Sequence, residues 1–398
     1  MATYKSLAFR YHKPGDVRRE ELTIDCGPRE MIVKVLACAR CGTDRNIFRK
    51  GHPKVDPNAP TVLGHEISAE IVEVGAEVHT LTEGIGYRQG RPLSARELHY
   101  RIGERVTCQS RIARYRNGVM LQTNPIQILS FQFNAGYSQY MRVTEEMIRS
   151  GSVLRVPDSA TDEEAALVEP AACALETIFQ TPHATGVDED GRHRFRAGPR
   201  PGGRALIIGS GTVSLIYALL CKIEGSAVVH ILLRSQAKAD LARQVLGDGF
   251  QITIAEPMDG LDLEERLERE AALVERLRER TSGALFDDVI SACADPHAQR
   301  LMLKCYNMEG DAVGAAFGGT RELVDQADID VHHYRQARTI GSSGCSTRCM
   351  ETIIRWLAEG KLSLKGFTSP QHFTMDSDPA EFFQTDAGGL KPVLYPWE

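Results

Sequence analysis

Cys38-Ala39-Arg40-Cys41-Gly42-Thr43-Asp44 and, further on, Leu63-Gly64-His65-Glu66 running into Ile67-Ser68-Ala69-Glu70-Ile71-Val72-Glu73-Val74-Gly75 form the stretch from which the rest of the chain is read. A thiol, an imidazole and a carboxylate precede an alternating strand. Those are the donor types that suit a borderline-soft zinc ion, and a catalytic zinc takes three protein ligands with one position open. A further ligand is expected downstream, and Leu167-Val168-Glu169-Pro170 offers one. The candidate set is therefore Cys41, His65, Glu66 and Glu169. Glu169 stands in an apolar surround, where a carboxylate needs a cationic partner.

A second stretch carries equal weight. Arg204-Ala205-Leu206-Ile207-Ile208 runs into Gly209-Ser210-Gly211-Thr212-Val213-Ser214 and then into the apolar Leu215–Leu220. Strand, glycine-rich turn and helix are the context in which a dinucleotide fingerprint has meaning. Gly209 allows the tight turn, and Gly211 lets backbone approach a pyrophosphate at the helix N-terminus. Gly209, Ser210, Gly211, Thr212 and Val213 are the expected cofactor-binding turn. The following strand, Val228–Leu233, ends in Arg234-Ser235-Gln236 with no acid to hold a ribose 2′-hydroxyl. A guanidinium beside a hydroxyl suits a 2′-phosphate, so Arg234 and Ser235 point to NADP(H) over NAD(H).

Composition narrows the class. A chain of 398 residues suits two domains better than one core. With 42% hydrophobic and 25% charged residues it reads as an ordinary globular protein. A net charge of -6 gives no broad basic surface for nucleic acid or an anionic membrane. No apolar run is long enough to span a bilayer. The ten cysteines are scattered, and the N-terminal residues lack the apolar core of a signal peptide, so reduced thiols in a cytoplasmic enzyme are expected.

In order and spacing, Cys-Gly-Thr-Asp, Gly-His-Glu and the strand ending Val-Glu-Val-Gly resemble the zinc-dependent medium-chain dehydrogenases, above all the alcohol, polyol, threonine and sugar-phosphate members. The resemblance covers nearly the whole chain. It implies an α/β fold: a GroES-like twisted β-barrel catalytic domain over 1–178, a Rossmann doubly wound parallel sheet over 179–344, and a return to the catalytic domain over 345–398. It implies a hydride transferred between NAD(P)(H) and a small alcohol or carbonyl substrate in the cleft between the domains, and a homodimer or homotetramer. By resemblance Thr43 passes the substrate proton, Asn46 stands where relatives commonly have a relay histidine, and Lys391 reaches the cofactor phosphates. Asn can hydrogen-bond but cannot titrate.

Other departures set further expectations. A polar, Arg-rich insert spans 79–102. Many relatives carry four close cysteines where this chain has only Cys108, so one catalytic zinc and no structural zinc are expected. Tyr115, Phe131 and Phe133 are packing or substrate-wall candidates. Residues 181–203 read as a surface excursion with solvated histidines His183 and His193. The charges of 259–280 read as the solvated face of an amphipathic helix. Two rival functions stay open: a reductase or epimerase on the same fold, which Asn46 keeps in play, and a dinucleotide-binding protein without turnover.

Overall fold

In the computed structural model the residues described are 3–398 apart from 57, 82–92, 113, 117–118, 122–126, 259, 320–326 and 328. Residues 82–92 of the 79–102 insert, and the side chain of Tyr115, fall outside them. The chain divides into two units, Met1–Cys173 with Gly344–Glu398, and Ala174–Ser343.

The first unit is built on strands whose alternation buries one face. Met31–Ala39 lies at the centre of a seven-stranded sheet. Glu66–Val74 pairs antiparallel with it, placing Glu66 opposite Ala39. On its other side Lys391–Tyr395 pairs antiparallel, with Leu394 opposite Cys38. Thus the end of the chain returns to the strand that feeds the first ligand motif. Thr3–Lys13 and Asp16–Asp25 form a long antiparallel hairpin. Beneath these strands Tyr137, Phe373, Phe382 and Phe383 meet edge to face with ring centroids 5.1–5.5 Å apart, a geometry that adds to the apolar burial. Phe131 and Phe133 pack against this core.

The second unit is a six-stranded, wholly parallel sheet. Its order is Gln251–Ile254, Val228–Leu233, Arg204–Ile208, Asp288–Ser291, Val313–Ala316, Arg338–Gly341. This is the 3-2-1-4-5-6 arrangement of a Rossmann sheet, with the glycine-rich turn at the switch point beside its first strand. The α/β class expected from the sequence is what the structure shows.

Two sequence expectations are corrected in this unit. The 181–203 segment is a hairpin, Pro182–Val187 against His193–Ala197, largely exposed. His183, however, is buried, with Nε2 2.8 Å from Asp288 Oδ1. Burial would push its pKa down, but Asp288 and Asp311 outweigh it and raise it above 6.5. The Leu263–Arg280 helix forms as its apolar spacing predicts, capped by Asp262. Its Glu270 is not solvated. It is buried, 2.5 Å from Arg300 Nη2 and 2.9 Å from Lys304 Nζ.

Candidate metal and dinucleotide sites

Cys41 ends the run from the Met31–Ala39 strand and caps the Gly42–Lys50 helix, its sulfur accepting the Thr43 N–H at 3.4 Å. His65 and Glu66 sit at the start of the neighbouring strand. Gly64 makes that approach fit: its φ is +95°, and a Cβ there would lie 2.6 Å from the Tyr137 ring and 2.8 Å from Cys38 Sγ. No larger residue can precede His65 without moving the core.

The result is a convergence. One donor atom from each of Cys41, His65 and Glu66 lies within 4.8 Å of the other two. His65 and Glu66 are buried and Cys41 is partly exposed. His65 Nδ1 faces Ser130 Oγ at 3.3 Å and Asp44 Oδ1 at 3.5 Å, which leaves Nε2 for the cluster. Ser130 Oγ is the hydrogen-bond partner of Nδ1, and Asp44 faces it as an ionic partner. Asp44 is held in turn by the Tyr137 hydroxyl, which donates at 2.7 Å. Burial opposes a proton on His65, but Asp44, Cys41 and Glu169 prevail and raise its pKa well above 6.5. Burial likewise raises the Glu66 pKa above 4.5, against the pull of Lys391.

This donor set fits zinc. It supplies sulfur, nitrogen and oxygen, and Glu66 Oε2 is a buried oxygen with no hydrogen-bond partner in the protein. Such an atom is costly unless a ligand satisfies it.

Glu169 stands differently. It belongs to a neighbouring buried cluster with Cys173 and Cys345, again with donor atoms within 4.8 Å of one another. Ser110 Oγ donates to Glu169 Oε1 at 2.6 Å, and Cys173 Sγ lies 3.6 Å from the same oxygen. A hydrogen bond with Cys345, burial, and the charges of Glu169 and Cys41 push the Cys173 pKa well up. The two clusters are close enough that Glu169 acts on His65 and Cys41 on Cys173. Sequence reasoning missed Cys173 and Cys345. The available signal was the i,i+4 spacing of Glu169 and Cys173 on the Val168–Phe179 helix, which puts them on one face.

Lys391 is buried, and its ammonium donates to Glu66 Oε1 at 2.6 Å and to the Arg40 carbonyl at 3.5 Å. Thr43 and Asn46 are both exposed on the first turns of the Gly42–Lys50 helix, three residues apart and so on one face.

In the other unit, Gly209 leads from the Arg204–Ile208 strand to the Thr212–Ile223 helix, with Ser210 between it and the capping Gly211. Gly209 has φ +145°, and a Cβ there would meet Ser214 Oγ at 2.4 Å. Thr212 is buried and Val213 is half-buried. A helix N-terminus in this setting suits an anion. Arg234 is exposed just past the second strand. Ser235 caps the Gln236–Leu246 helix, its oxygen accepting the Lys238 N–H at 3.4 Å.

Comparison with known proteins agrees with this picture. The profile described as "Alcohol dehydrogenase GroES-like domain" matches residues 27–87. D-arabinitol dehydrogenase 1 of Uromyces fabae is 27% identical over 60% of this chain and 57% of its own length. (R,R)-butanediol dehydrogenase of Bacillus subtilis is 25% identical over 60% of this chain and 61% of its own. The alignments thus span about three fifths of these curated relatives. Among solved structures, one described as a zinc-binding dehydrogenase from Sinorhizobium meliloti 1021 bound to NADP superposes with TM-score 0.76 at 20% identity, covering 99% of this chain and 100% of that one. That likeness is one of fold.

Proposed function

We propose that the chain is a zinc-dependent oxidoreductase of the medium-chain dehydrogenase type. It transfers a hydride between NADP(H), in preference to NAD(H), and a secondary alcohol or ketone of a polyol, sugar derivative or amino alcohol. The observation that carries this reading is the meeting of Cys41, His65 and Glu66 around a buried carboxylate oxygen without a partner. Cys41, His65 and Glu66 would hold the ion, with Glu169 beside them. Such an ion acts as a Lewis acid that lowers the pKa of a substrate hydroxyl. Asp44 orients His65, and Lys391 holds Glu66. The Thr43 hydroxyl passes a proton to and from the substrate oxygen, and Asn46, which cannot titrate, only hydrogen-bonds beside that route while water carries the proton on. Gly209 and Gly211 bring backbone to the pyrophosphate, and Arg234 with Ser235 receives the 2′-phosphate.

A cytoplasmic homo-oligomer fits this reading. Among the described residues no helix is long and apolar enough to cross a membrane. The Arg338–Gly341 strand ends the parallel sheet with one edge unpaired among the described residues, as a subunit-pairing edge would be.

The test is a cofactor-oxidation and reduction screen across polyols, sugar phosphates, amino alcohols and aldehydes, run with metal analysis of the same preparation. Turnover that tracks bound zinc and favours NADPH or NADP+ is expected. A metal-free protein that binds dinucleotide and turns nothing over would overturn the proposal.

A further inference from the structure

The buried Glu169–Cys173–Cys345 cluster is not needed to complete the Cys41–His65–Glu66 set, and its composition is that of a ligand group in its own right. Two sulfurs and a carboxylate oxygen lie within 4.8 Å of one another with all three side chains buried. The separation of Cys173 Sγ and Glu169 Oε1, 3.6 Å, matches the edge of about 3.5 Å between a sulfur and an oxygen bound tetrahedrally to one zinc. The surroundings position these groups: Ser110 donates to Glu169. Gln109 donates to the Cys345 carbonyl at 2.5 Å, and its own Oε1 is left buried without a partner. A buried carboxylate beside two thiols is stable when paired or when it coordinates a cation.

We propose that Glu169, Cys173 and Cys345 form a second metal position for a thiophilic divalent cation such as zinc or cadmium, next to the Cys41–His65–Glu66 position. The charges allow both ions. The second set carries three negative charges when deprotonated and the first carries two, so each balances a divalent ion, with the excess beside its neighbour. Binding at the second position draws Glu169 away from the first. The inference deepens the functional reading, and its test separates the two.

The metal-free, reduced full-length protein is titrated with Cd2+ while thiolate-to-metal absorption and native mass are followed. Two ions bound per chain are expected. In the Cys173→Ser/Cys345→Ser variant one ion remains, and absorption falls to about one third, because one thiolate of three is left. In Cys41→Ser one ion also remains, but about two thirds of the absorption survives. In the unmutated protein, where folding is not in question, bound Cd2+ slows alkylation of Cys173 and Cys345 well below the rate that burial alone gives in the metal-free protein. A single ion per chain, with signal lost in Cys41→Ser and unchanged in the double variant, overturns the second position and leaves the functional reading standing. No ion at all overturns both. Alkylation of Cys173 and Cys345 in the fully loaded protein at the metal-free rate overturns the second position alone.

Discussion

The two candidate sites are made in opposite ways. In the Met1–Cys173 unit the site consists of side chains: a sulfur from a helix cap, an imidazole and a carboxylate from a strand start, and behind them Asp44, Tyr137 and Lys391. In the Ala174–Ser343 unit it consists of backbone: a turn whose glycine lacks a Cβ, and a helix N-terminus. A side-chain site gathers buried charges that are costly unless each has a partner. A backbone site gathers almost none and depends on shape. The first should therefore fail through chemistry when an atom is replaced, and the second through sterics when one is added.

The largest expected effect is on the side-chain site. Cys41→Ser or His65→Ala should lower kcat by roughly a thousandfold, the several kcal/mol that Lewis-acid stabilisation contributes, and lower bound zinc with it. Activity lost with zinc retained would break the comparison, because the residues would then matter by some route other than coordination. Next comes Lys391→Met. In the metal-free protein it leaves Glu66 buried and unpaired, a loss of about 3–5 kcal/mol read as a fall in the denaturant midpoint. Lys391→Met/Glu66→Gln, which removes both charges, should recover most of it. If the double variant is as unstable as the single, the pairing is not what holds Lys391.

At the backbone site the expected losses are smaller. Gly209→Ala adds a methyl against Ser214 Oγ at a positive φ, so about 1–3 kcal/mol of strain should appear as weaker dinucleotide binding with zinc content unchanged. Adding Ser214→Gly should return the steric part and not the backbone part. Arg234→Asp should shift preference from NADPH to NADH by about tenfold or more, measured as the ratio of kcat/KM values. Equal use of both cofactors before and after would remove Arg234 from the 2′-phosphate reading.

A last prediction concerns stability in the parallel-sheet unit. His183 has a folded pKa above 6.5 because Asp288 and Asp311 overcome its burial. A raised histidine contributes stability that is complete below the unfolded value and is lost as pH rises through the folded one. Urea midpoints should therefore fall from pH 6 upward more steeply for the native sequence than for His183→Gln. Parallel pH profiles would show that the pair is not the cause.

How much of this was legible in the sequence follows the same division. The glycine-rich turn was readable because local residues alone make it: Ile208, Gly209 and Gly211 specify strand, turn and helix start without distant help. The Cys41–His65–Glu66 meeting was nearly readable, since two of its residues are adjacent and the third directly follows the neighbouring strand. The second cluster was not, because Cys345 lies far along the chain from Glu169, and only the return of residues 344–398 to the first unit brings it in. The Glu66 partner of Lys391 was hidden for a related reason. The sequence shows a cation near a closing strand, but only the pairing of Lys391–Tyr395 with Met31–Ala39 puts Glu66 in its reach. His183 and Glu270 look solvated by composition, and tertiary burial supplied each with an ionic partner. Asp44 was in plain view beside Thr43, yet its role depends on where His65 turns its ring.

The most direct measurement is anomalous diffraction at the zinc absorption edge from crystals of the protein purified without chelators. A peak within bonding distance of Cys41 Sγ and His65 Nε2, with Glu66 or Glu169 oxygen beside it, is the predicted result. Density with no anomalous signal at those atoms, in a protein that still turns over an alcohol with NADP+, would contradict the proposed metal centre.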